Sequence, residues 1–220
     1  MKIYLLIKII HIVAGAMALI TGLIAMLTKK GGKAHRFNGK IYFWSMAVIF
    51  LTSIYMSLYK SMIFFVLIAF FSFQAAFSGY RILYLKQLHQ GQKAATIDYI
   101  GLIIGAVAAL FMLGFGIFNL NSNTEMAMVL LVFGVFYAVG VWQEVRKFSN
   151  PPTEKMFWMY KHIGQMGGAY IATMTAFLVN NYRLFPFIPP VMLWLLPTAV
   201  GVVIITRVLK KYKIQYSSKA

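Results

Sequence analysis

Residues 3–27 read IYLLIKIIHIVAGAMALITGLIAML, an apolar stretch long enough to cross a membrane as a helix. A helix rises about 1.5 Å per residue, so about 20 apolar residues span the roughly 30 Å hydrocarbon core of a bilayer. Barrel strands are about half this length and alternate in polarity, which these residues do not. Six similar stretches follow, at residues 41–59, 62–85, 99–120, 126–145, 156–179 and 191–209. The pattern predicts an all-α polytopic membrane helix bundle with seven transmembrane helices, forming a single domain over residues 1–220.

The composition is typical of a chain surrounded by lipid. Of the 220 residues, 61% are hydrophobic and 11% are charged, and the mean hydropathy is +0.76. Water would not solvate the surface of a domain with this composition. The chain has no cysteine, which excludes disulfides, thiolate metal sites and cysteine nucleophiles. It also has no nucleophile-elbow, phosphate-loop or dinucleotide-binding motif, so no motif assigns an enzyme activity.

The net charge of +17 is distributed unevenly between the two sides of the predicted bundle. Seventeen of the 21 Lys and Arg residues lie in or beside the first, third and fifth connections and in the carboxyl-terminal tail. Because cytoplasmic connections are enriched in Lys and Arg, this alternation predicts an N-out, C-in multi-pass protein of the cell (inner) membrane. We expect these residues to attract anionic lipids on the cytoplasmic face. Nucleic-acid binding is not expected, since no aromatic-lined basic groove or recognisable module is present.

Ionisable and polar residues inside the predicted spans are the candidate site, because placing them in lipid is costly. They are His11, Gln74, Arg81, Asp98, Glu144, His162 and Gln165. Helical spacing puts Gln74, Ser78 and Arg81 on one face of the third helix. The same spacing puts His162 and Gln165 on one face of the sixth helix. The two faces are expected to meet near the cytoplasmic side.

Together with Glu144, these faces predict a polar cavity that is open to the cytoplasm, where the side chains bind a ligand or exchange protons. The alternative is that Arg81, Asp98 and Glu144 are interface groups that pair with one another or extend their charged ends to water. The sequence leaves both interpretations open.

Metal and haem sites are also considered. His35, His89 and His162 fall on the same predicted side as the carboxylates, and imidazole with carboxylate suits zinc or iron. None of them shows a tight ligand spacing. His11 and His162 are expected to lie about 15 Å apart along the membrane normal, which is too far for them to ligate one haem iron. The cofactor therefore stays unknown, with a metal or a single-histidine haem as possibilities.

Small residues recur at intervals of three or four positions along three of the predicted helices. They are Gly15, Ala18 and Gly22 in the first, Gly101, Gly105 and Ala109 in the fourth, and Gly164, Gly168, Ala172 and Ala176 in the sixth. Small residues let helix backbones approach closely in lipid, so these stripes predict packing seams. The alternative is that the glycines make room for a bound ligand.

The connection after the first helix has a recognisable pattern. It reads GGKAHRFNGKIY over residues 31–42 and follows a helix that contains His11 and Gly15. This arrangement resembles the opening of the membrane family catalogued as domain of unknown function 2306, in which an H…G helix leads to a G…HR..GR.Y loop. The stretch HIGQMGGAY at residues 162–170 also resembles bacterial proteins close to that family. Lys40 stands where the family more often has Arg, and the family's later HR.WM motif is not evident.

The resemblance implies a membrane location and names no reaction. It draws attention to His11, His35, Arg36 and Gly39. In such a loop the glycines permit a tight turn, and the His35–Arg36 pair would hold a phosphate or carboxylate at the lipid surface. The alternative is a basic loop that only sets the topology.

Three functions follow as hypotheses. The first is a binding or redox-type membrane protein whose cytoplasmic-side cavity holds a metal, a haem or a small anionic ligand. The second is a small-solute or proton-coupled transporter in which His162 and Glu144 exchange protons. The third is a membrane hydrolase with a histidine and carboxylate metal centre. The sequence names neither the ligand nor the oligomeric state.

Overall fold

The computed structural model describes residues 1–217 and consists there of helices and turns, with no β-strand. Seven long helices are present, which confirms the predicted all-helical fold. They are α1 (Lys2–Leu27), α2 (Lys33–Tyr59), α3 (Ile63–Arg81), α4 (Thr96–Phe118), α5 (Thr124–Ser149), α6 (Phe157–Asn180) and α7 (Pro190–Ser217). Short 3-10 segments occupy Ile82–Tyr84, Leu88–Gln90 and Tyr182–Leu184.

Helices α2, α4, α5 and α7 extend at least two residues beyond the predicted apolar stretches, and α4 begins at Thr96 rather than at residue 99. Helix α2 begins at Lys33 rather than at residue 41, so the basic segment predicted as a loop is its first two turns. Helix α5 continues to Ser149 and α7 to Ser217, past residues 145 and 209. The apolar pattern measures the part of a helix that lies in hydrocarbon, whereas the helix itself continues into the polar interface. Lys219, counted above with the tail, lies outside the described residues.

The turn between α1 and α2 is correspondingly short. It occupies residues 28–32, and Gly31 adopts a left-handed conformation with φ of +74°. Glycine populates this region without the steric cost that a side chain would impose. The chain therefore reverses direction within one tight turn, and His35 and Arg36 follow it on helical backbone.

Helix α3 is the centre of the bundle. It packs against α2, α4 and α6 and also contacts α5, while α1 packs on α2, α5 on α4 and α7 on α6. One apolar core joins α3, α4 and α5 around Met112, Leu130 and Phe133, and Trp194 from the start of α7 packs on it. A second core joins α1, α2, α3 and α6 around Ala18 and Ala169.

The small-residue stripe of α4 is a packing seam. A side-chain carbon built at Gly101 would lie 2.4 Å from Phe77 of α3, and one at Gly105 would lie 3.1 Å from Gln74. In α1, a side-chain carbon at Gly22 would lie within 3 Å of Tyr170 and Tyr42, whereas one at Gly15 would have no neighbour within 4 Å. The seams of α4 and of the second half of α1 are therefore confirmed.

The stripe predicted for α6 is wrong in register. Gly168 has no neighbour within 4 Å, and Ala176 is exposed. The close approach to α7 is instead at Gly167, where a built side-chain carbon would lie 2.7 Å from Ile205. Glycines occur at both 167 and 168, so spacing alone does not identify the one that packs.

Six of the described helices are long and apolar enough to cross a membrane. Helix α6 is as long as these helices but less apolar. Of the most apolar 18 residues in each helix, only 11% in α1 and 6% in α7 are buried within the protein. The exposed apolar side chains of these two helices therefore need lipid around them. Helix α6 carries Lys161, His162 and Gln165 among its first turns, which lowers its mean hydropathy. The helices that pack against it, α1, α3 and α7, are long and apolar enough to cross a membrane.

Each of the seven helices has one end at the same end of the bundle, where the carboxyl end of α7 lies beside the amino end of α6 and six other helix ends meet. These are the carboxyl ends of α1, α3 and α5 and the amino ends of α2, α4 and α6, joined by the three basic connections. We call this the basic end. The candidate site residues lie there, with His11 as the exception.

Candidate functional site

A buried carboxylate on α5 joins three helices at the basic end. Glu144 is 7% exposed, and its Oε1 accepts a hydrogen bond of 2.8 Å from Ser78 Oγ of α3. The same Oε1 lies 3.0 Å from Lys161 Nζ of α6. Its other oxygen, Oε2, is bonded by Lys147 Nζ one turn further along α5. Both lysine side chains are at least as buried as the carboxylate they contact. Glu144 thus holds α3, α5 and α6 together through charge-assisted hydrogen bonds.

A second ion pair joins α3 to α4. Arg81, the last residue of α3, donates from Nε to Asp98 Oδ1 at 2.8 Å and from Nη2 to Oδ2 at 3.0 Å. Asp98 also accepts from the backbone N–H of Ala95 at 2.9 Å, three residues before it. This carboxylate caps the first turn of α4, where its charge interacts favourably with the helix dipole. Its side chain is 3% exposed, while that of Arg81 is 20% exposed and reaches water.

The predicted face of α3 brings both pairs together. Gln74, Ser78 and Arg81 lie one turn apart, as their spacing indicated. Ser78 binds Glu144, Arg81 binds Asp98, and Gln74 lies against Gly105 of α4. Arg81 and Asp98 therefore pair with each other at a helix interface, whereas Glu144 pairs with Lys147 and Lys161. Members of both groups also line cavities.

Two small cavities adjoin at Gln74, Ser78 and Glu144. The larger, of about 50 Å³, lies between α3, α5 and α6, and Tyr137 and Gln165 also line it. The smaller, of about 10 Å³, lies between α3, α4 and α5 beside the two ion pairs. A single water needs about 10–15 Å³ of such space, so the larger cavity has room for a few waters or one small ion. Of the residues predicted to form a polar cavity, Gln74, Glu144 and Gln165 line this one, and His162 does not.

The larger cavity lies in a cleft. Helices α5 and α6 pack on α3 but make few contacts with each other. At the basic end the cleft is bridged by Lys161 of α6, whose Nζ reaches both Glu144 and, at 3.2 Å, Gln143 Oε1 of α5. At the opposite end, Trp194 of α7 and its apolar neighbours close the bundle against Phe133 of α5. The cleft is thus closed by charge at one end and by aromatic packing at the other.

The charges in this region do not balance. Arg81, Lys147 and Lys161 surround only the two carboxylates Asp98 and Glu144. The second cavity is lined by members of both ion pairs, so the five groups form one cluster. We call these five residues the charged cluster. It carries one positive charge in excess, in an environment of low polarity where buried charges are normally paired.

Two histidines lie together beside this cluster. His35, in the first turn of α2, and His162, near the start of α6, have ring centroids 6.1 Å apart and ring planes at 78°. His35 Nδ1 lies 2.8 Å from the carbonyl oxygen of Ala25, and His162 Nδ1 lies 2.8 Å from that of Gly79. Gly79 follows Ser78, so the last turn of α3 contacts Glu144 and His162 through successive residues.

The remaining predicted residues lie apart from this group. His11 is near the opposite end of α1, where its Nδ1 lies 2.9 Å from Thr52 Oγ1. Arg36 is exposed on the first turn of α2. His89 lies in the 3-10 segment Leu88–Gln90, and no contact among residues 1–217 joins it to the two paired histidines. Within the described part of the chain, no three His, Asp or Glu side chains converge as a set of metal ligands.

Sequence reasoning missed two members of the cluster. Lys147 and Lys161 were counted among the basic residues that set topology, yet both side chains are buried against Glu144. Lys147 lies three residues after Glu144, a spacing at which side chains on a helix meet. That signal was available in the sequence. No comparable signal in the sequence links Lys161 to Glu144, because this contact depends on how α6 packs.

Comparison with protein families identifies the family of this chain. A family model described as "Predicted membrane protein (DUF2306)" matches residues 8–143, well over half of the chain. Comparison with curated proteins and with solved structures finds no match. The matched region begins in α1 and ends one residue before Glu144. It includes His35 and the residues of α3 that line the two cavities. The resemblance noted for residues 31–42 is confirmed, and the chain belongs to the DUF2306 family of membrane proteins.

Proposed function

We propose that this protein binds and transports a small anion across the cell membrane, through the cleft between α5 and α6. The observation that carries the proposal is the excess positive charge of the charged cluster. Glu144 of this cluster lines both cavities, and Arg81 and Lys147 line the smaller one. Lys147 and Lys161 share the single carboxylate of Glu144, so a mobile anion that binds beside these lysines would balance the excess charge.

The size of the cavity supports a small solute. A volume of about 50 Å³ suits a halide or a compact oxyanion better than an organic cofactor. The candidate ligands are a metal, a haem and a small anion. The excess positive charge and the volume of the cavity both favour the small anion.

The basic end supports the direction of access. The positive-inside pattern favours a cytoplasmic basic end, with the amino terminus outside, the carboxyl terminus inside and the bilayer being the cell membrane. The Lys and Arg residues there would attract anionic lipid headgroups and raise the local concentration of soluble anions. An anion that binds Lys161 would compete with Glu144 for this lysine. The Lys161–Glu144 contact would then break, and the cleft would open at the basic end.

Proton coupling is a second candidate. Glu144 and His162 contact successive residues of α3, Ser78 and Gly79. Protonation of one group would therefore change the proton affinity of the other. Such a pair would link anion movement to a proton gradient. This version predicts that flux depends on pH and that both Glu144→Gln and His162→Gln remove this dependence. Unchanged pH dependence in the two variants would contradict it.

The proposal is tested with purified full-length protein in liposomes. Vesicles loaded with chloride, formate or inorganic phosphate are diluted into anion-free buffer, valinomycin and potassium clamp the potential, and anion efflux is recorded. We expect protein-dependent efflux of at least one anion. Lys161→Met should reduce it at least about tenfold, because a cationic partner of the anion is lost.

Lys93→Met is the matched control, since Lys93 is an exposed lysine at the same end. It should retain the wild-type efflux. Efflux no faster than from protein-free vesicles for all three anions, or equal efflux from Lys161→Met and wild type, would contradict the proposal.

A further inference from the structure

We propose that His35 and His162 are the two protein ligands of a Cu(I) ion, bound through their Nε2 atoms between α2 and α6 at the basic end. This site is separate from the anion cavity, since neither histidine lines it. The inference does not depend on the transport proposal. It rests on the tautomers of the two imidazoles, on the separation of their rings and on the charges around them.

Both rings are held in the form that binds a metal through Nε2. The Nδ1 atoms lie 2.8 Å from the backbone carbonyl oxygens of Ala25 and Gly79. A carbonyl oxygen only accepts, so each Nδ1 carries the proton and each Nε2 carries a lone pair. Hydrogen bonding of the second nitrogen to a backbone carbonyl is the usual way in which metal-binding histidines are oriented.

The ring separation fits one ion with a wide ligand angle. A metal–nitrogen distance of about 2 Å, with about 1.1 Å from nitrogen to ring centre, puts each centroid about 3.1 Å from the metal. Two ligands on opposite sides of the ion would then place the centroids about 6.2 Å apart, and two tetrahedral ligands about 5.1 Å apart. The observed 6.1 Å equals the first separation to within about 0.1 Å, and the proposal requires that both Nε2 atoms face the ion. Cu(I) accepts two nearly collinear nitrogen ligands, whereas zinc requires four ligands in tetrahedral positions.

The surroundings favour a monovalent ion. The positive charges of Lys30 and Lys86 act on His162, and they disfavour a dication more strongly than a monovalent ion. Among residues 1–217 no carboxylate or third histidine joins the pair, as a site for a four-coordinate metal would need. A haem iron would also take two opposed histidines, but a porphyrin needs a far larger space than the cavities of about 50 and 10 Å³ found beside this region.

The test is a Cu(I) titration of the full-length protein in detergent, under anaerobic conditions, in competition with the chromogenic chelator bicinchoninate. We expect one Cu(I) per chain, with two nitrogen ligands in its X-ray absorption spectrum. His35→Gln and His162→Gln should each weaken binding at least about 100-fold, since loss of an outer-shell partner alone costs up to that factor. The matched controls His11→Gln and His89→Gln should bind like wild type.

Folding of the variants is checked by helical circular dichroism and by thermal unfolding. Cu(I) should raise the Tm of the wild type and of both controls, and leave that of His35→Gln and His162→Gln unchanged. If His162→Gln fails to fold, the Cu(I) affinity of His35→Gln tests the proposal alone. His35 lies in the first turn of α2, where a substitution is expected to disturb folding less.

Three results would overturn the proposal. One is binding of less than one Cu(I) per chain to the wild type. Another is loss of affinity in a control that equals the loss in His35→Gln. The third is a Soret band in the isolated protein that disappears in His35→Gln, which would identify the bound metal as haem iron.

Discussion

The two ion pairs at the basic end differ in balance and in what they connect. Arg81 and Asp98 are matched one to one, share two parallel hydrogen bonds and join α3 to α4 while capping a helix. Glu144 has two lysine partners and spans the cleft between α5 and α6. Balanced charges with fixed geometry are typical of a structural contact. Excess charge beside a cavity is typical of a site that takes a ligand, so burial alone does not separate the two roles.

The largest expected effect on stability is at the unbalanced pair. Glu144→Ala leaves Lys147 and Lys161 buried without an anion, and removing one partner of a buried pair typically costs about 3–5 kcal/mol. The free energy of unfolding, measured by dodecyl sulfate titration in mixed micelles, should fall by about this amount. Adding Lys147→Met and Lys161→Met should recover most of it. A loss below 1 kcal/mol in Glu144→Ala, or no recovery in the triple variant, would contradict the assigned burial.

The balanced pair should be less sensitive. Asp98→Ala removes two bonds to Arg81 and the cap of α4, but Arg81 is 20% exposed and can turn to water. We expect a loss of about 2 kcal/mol in the same assay. Anion efflux from liposomes should stay within about twofold of wild type once the variant is folded, as expected for a structural contact. A stability loss equal to that of Glu144→Ala, or abolished efflux, would remove the distinction between the pairs.

The α3–α6 contact between the charged cluster and the histidines is tested with a smaller change. A methyl group at Gly79 would lie 3.0–3.1 Å from Met166 Cγ, Gln165 Cβ and the Met166 backbone nitrogen. Overpacking costs about 1–3 kcal/mol, and replacing a helical glycine by alanine recovers up to about 1 kcal/mol. Gly79→Ala should therefore lose about 1 kcal/mol. Gly168→Ala, which meets nothing within 4 Å, is the control and should lose none.

The smallest effect is expected at the exposed charges of the same end. Arg36 is exposed, and surface substitutions of this kind change stability by less than about 0.5 kcal/mol. Arg36→Gln should leave unfolding and anion efflux unchanged. A loss of efflux as large as that of Lys161→Met would show that the surface charge, rather than the buried excess, recruits the anion.

The sequence predicts the fold because the bilayer imposes a simple rule. Seven apolar stretches gave seven helices, since backbone groups in lipid must be paired within the segment. The ends were predicted less well, because polar residues such as those at the start of α2 and the end of α5 are compatible with helix outside the hydrocarbon. This is why His35 was assigned to a loop and Lys147 to a connection.

The site was predictable where one helix determines the geometry. The face formed by Gln74, Ser78 and Arg81 follows from the helical period, and the partners of Ser78 and Arg81 were among the candidates. The contacts of Lys161 with Glu144 and of His35 with His162 join helices distant in sequence. They depend on packing around α3, which the period of a single helix does not report.

The most direct test of the account is the access to the cleft between α5 and α6. Because the chain has no cysteine, Gln165→Cys places one thiol in the cavity wall. Its modification by a membrane-impermeant thiol reagent, applied from the side of the basic end, should be slow. Adding Lys161→Met should accelerate the modification roughly tenfold or more, whereas adding Lys93→Met should not. A tenfold acceleration corresponds to about 1.4 kcal/mol in the free energy that favours the closed cleft over the open one. Equal rates in all three proteins would contradict the claim that the Lys161–Glu144 bridge closes the cleft.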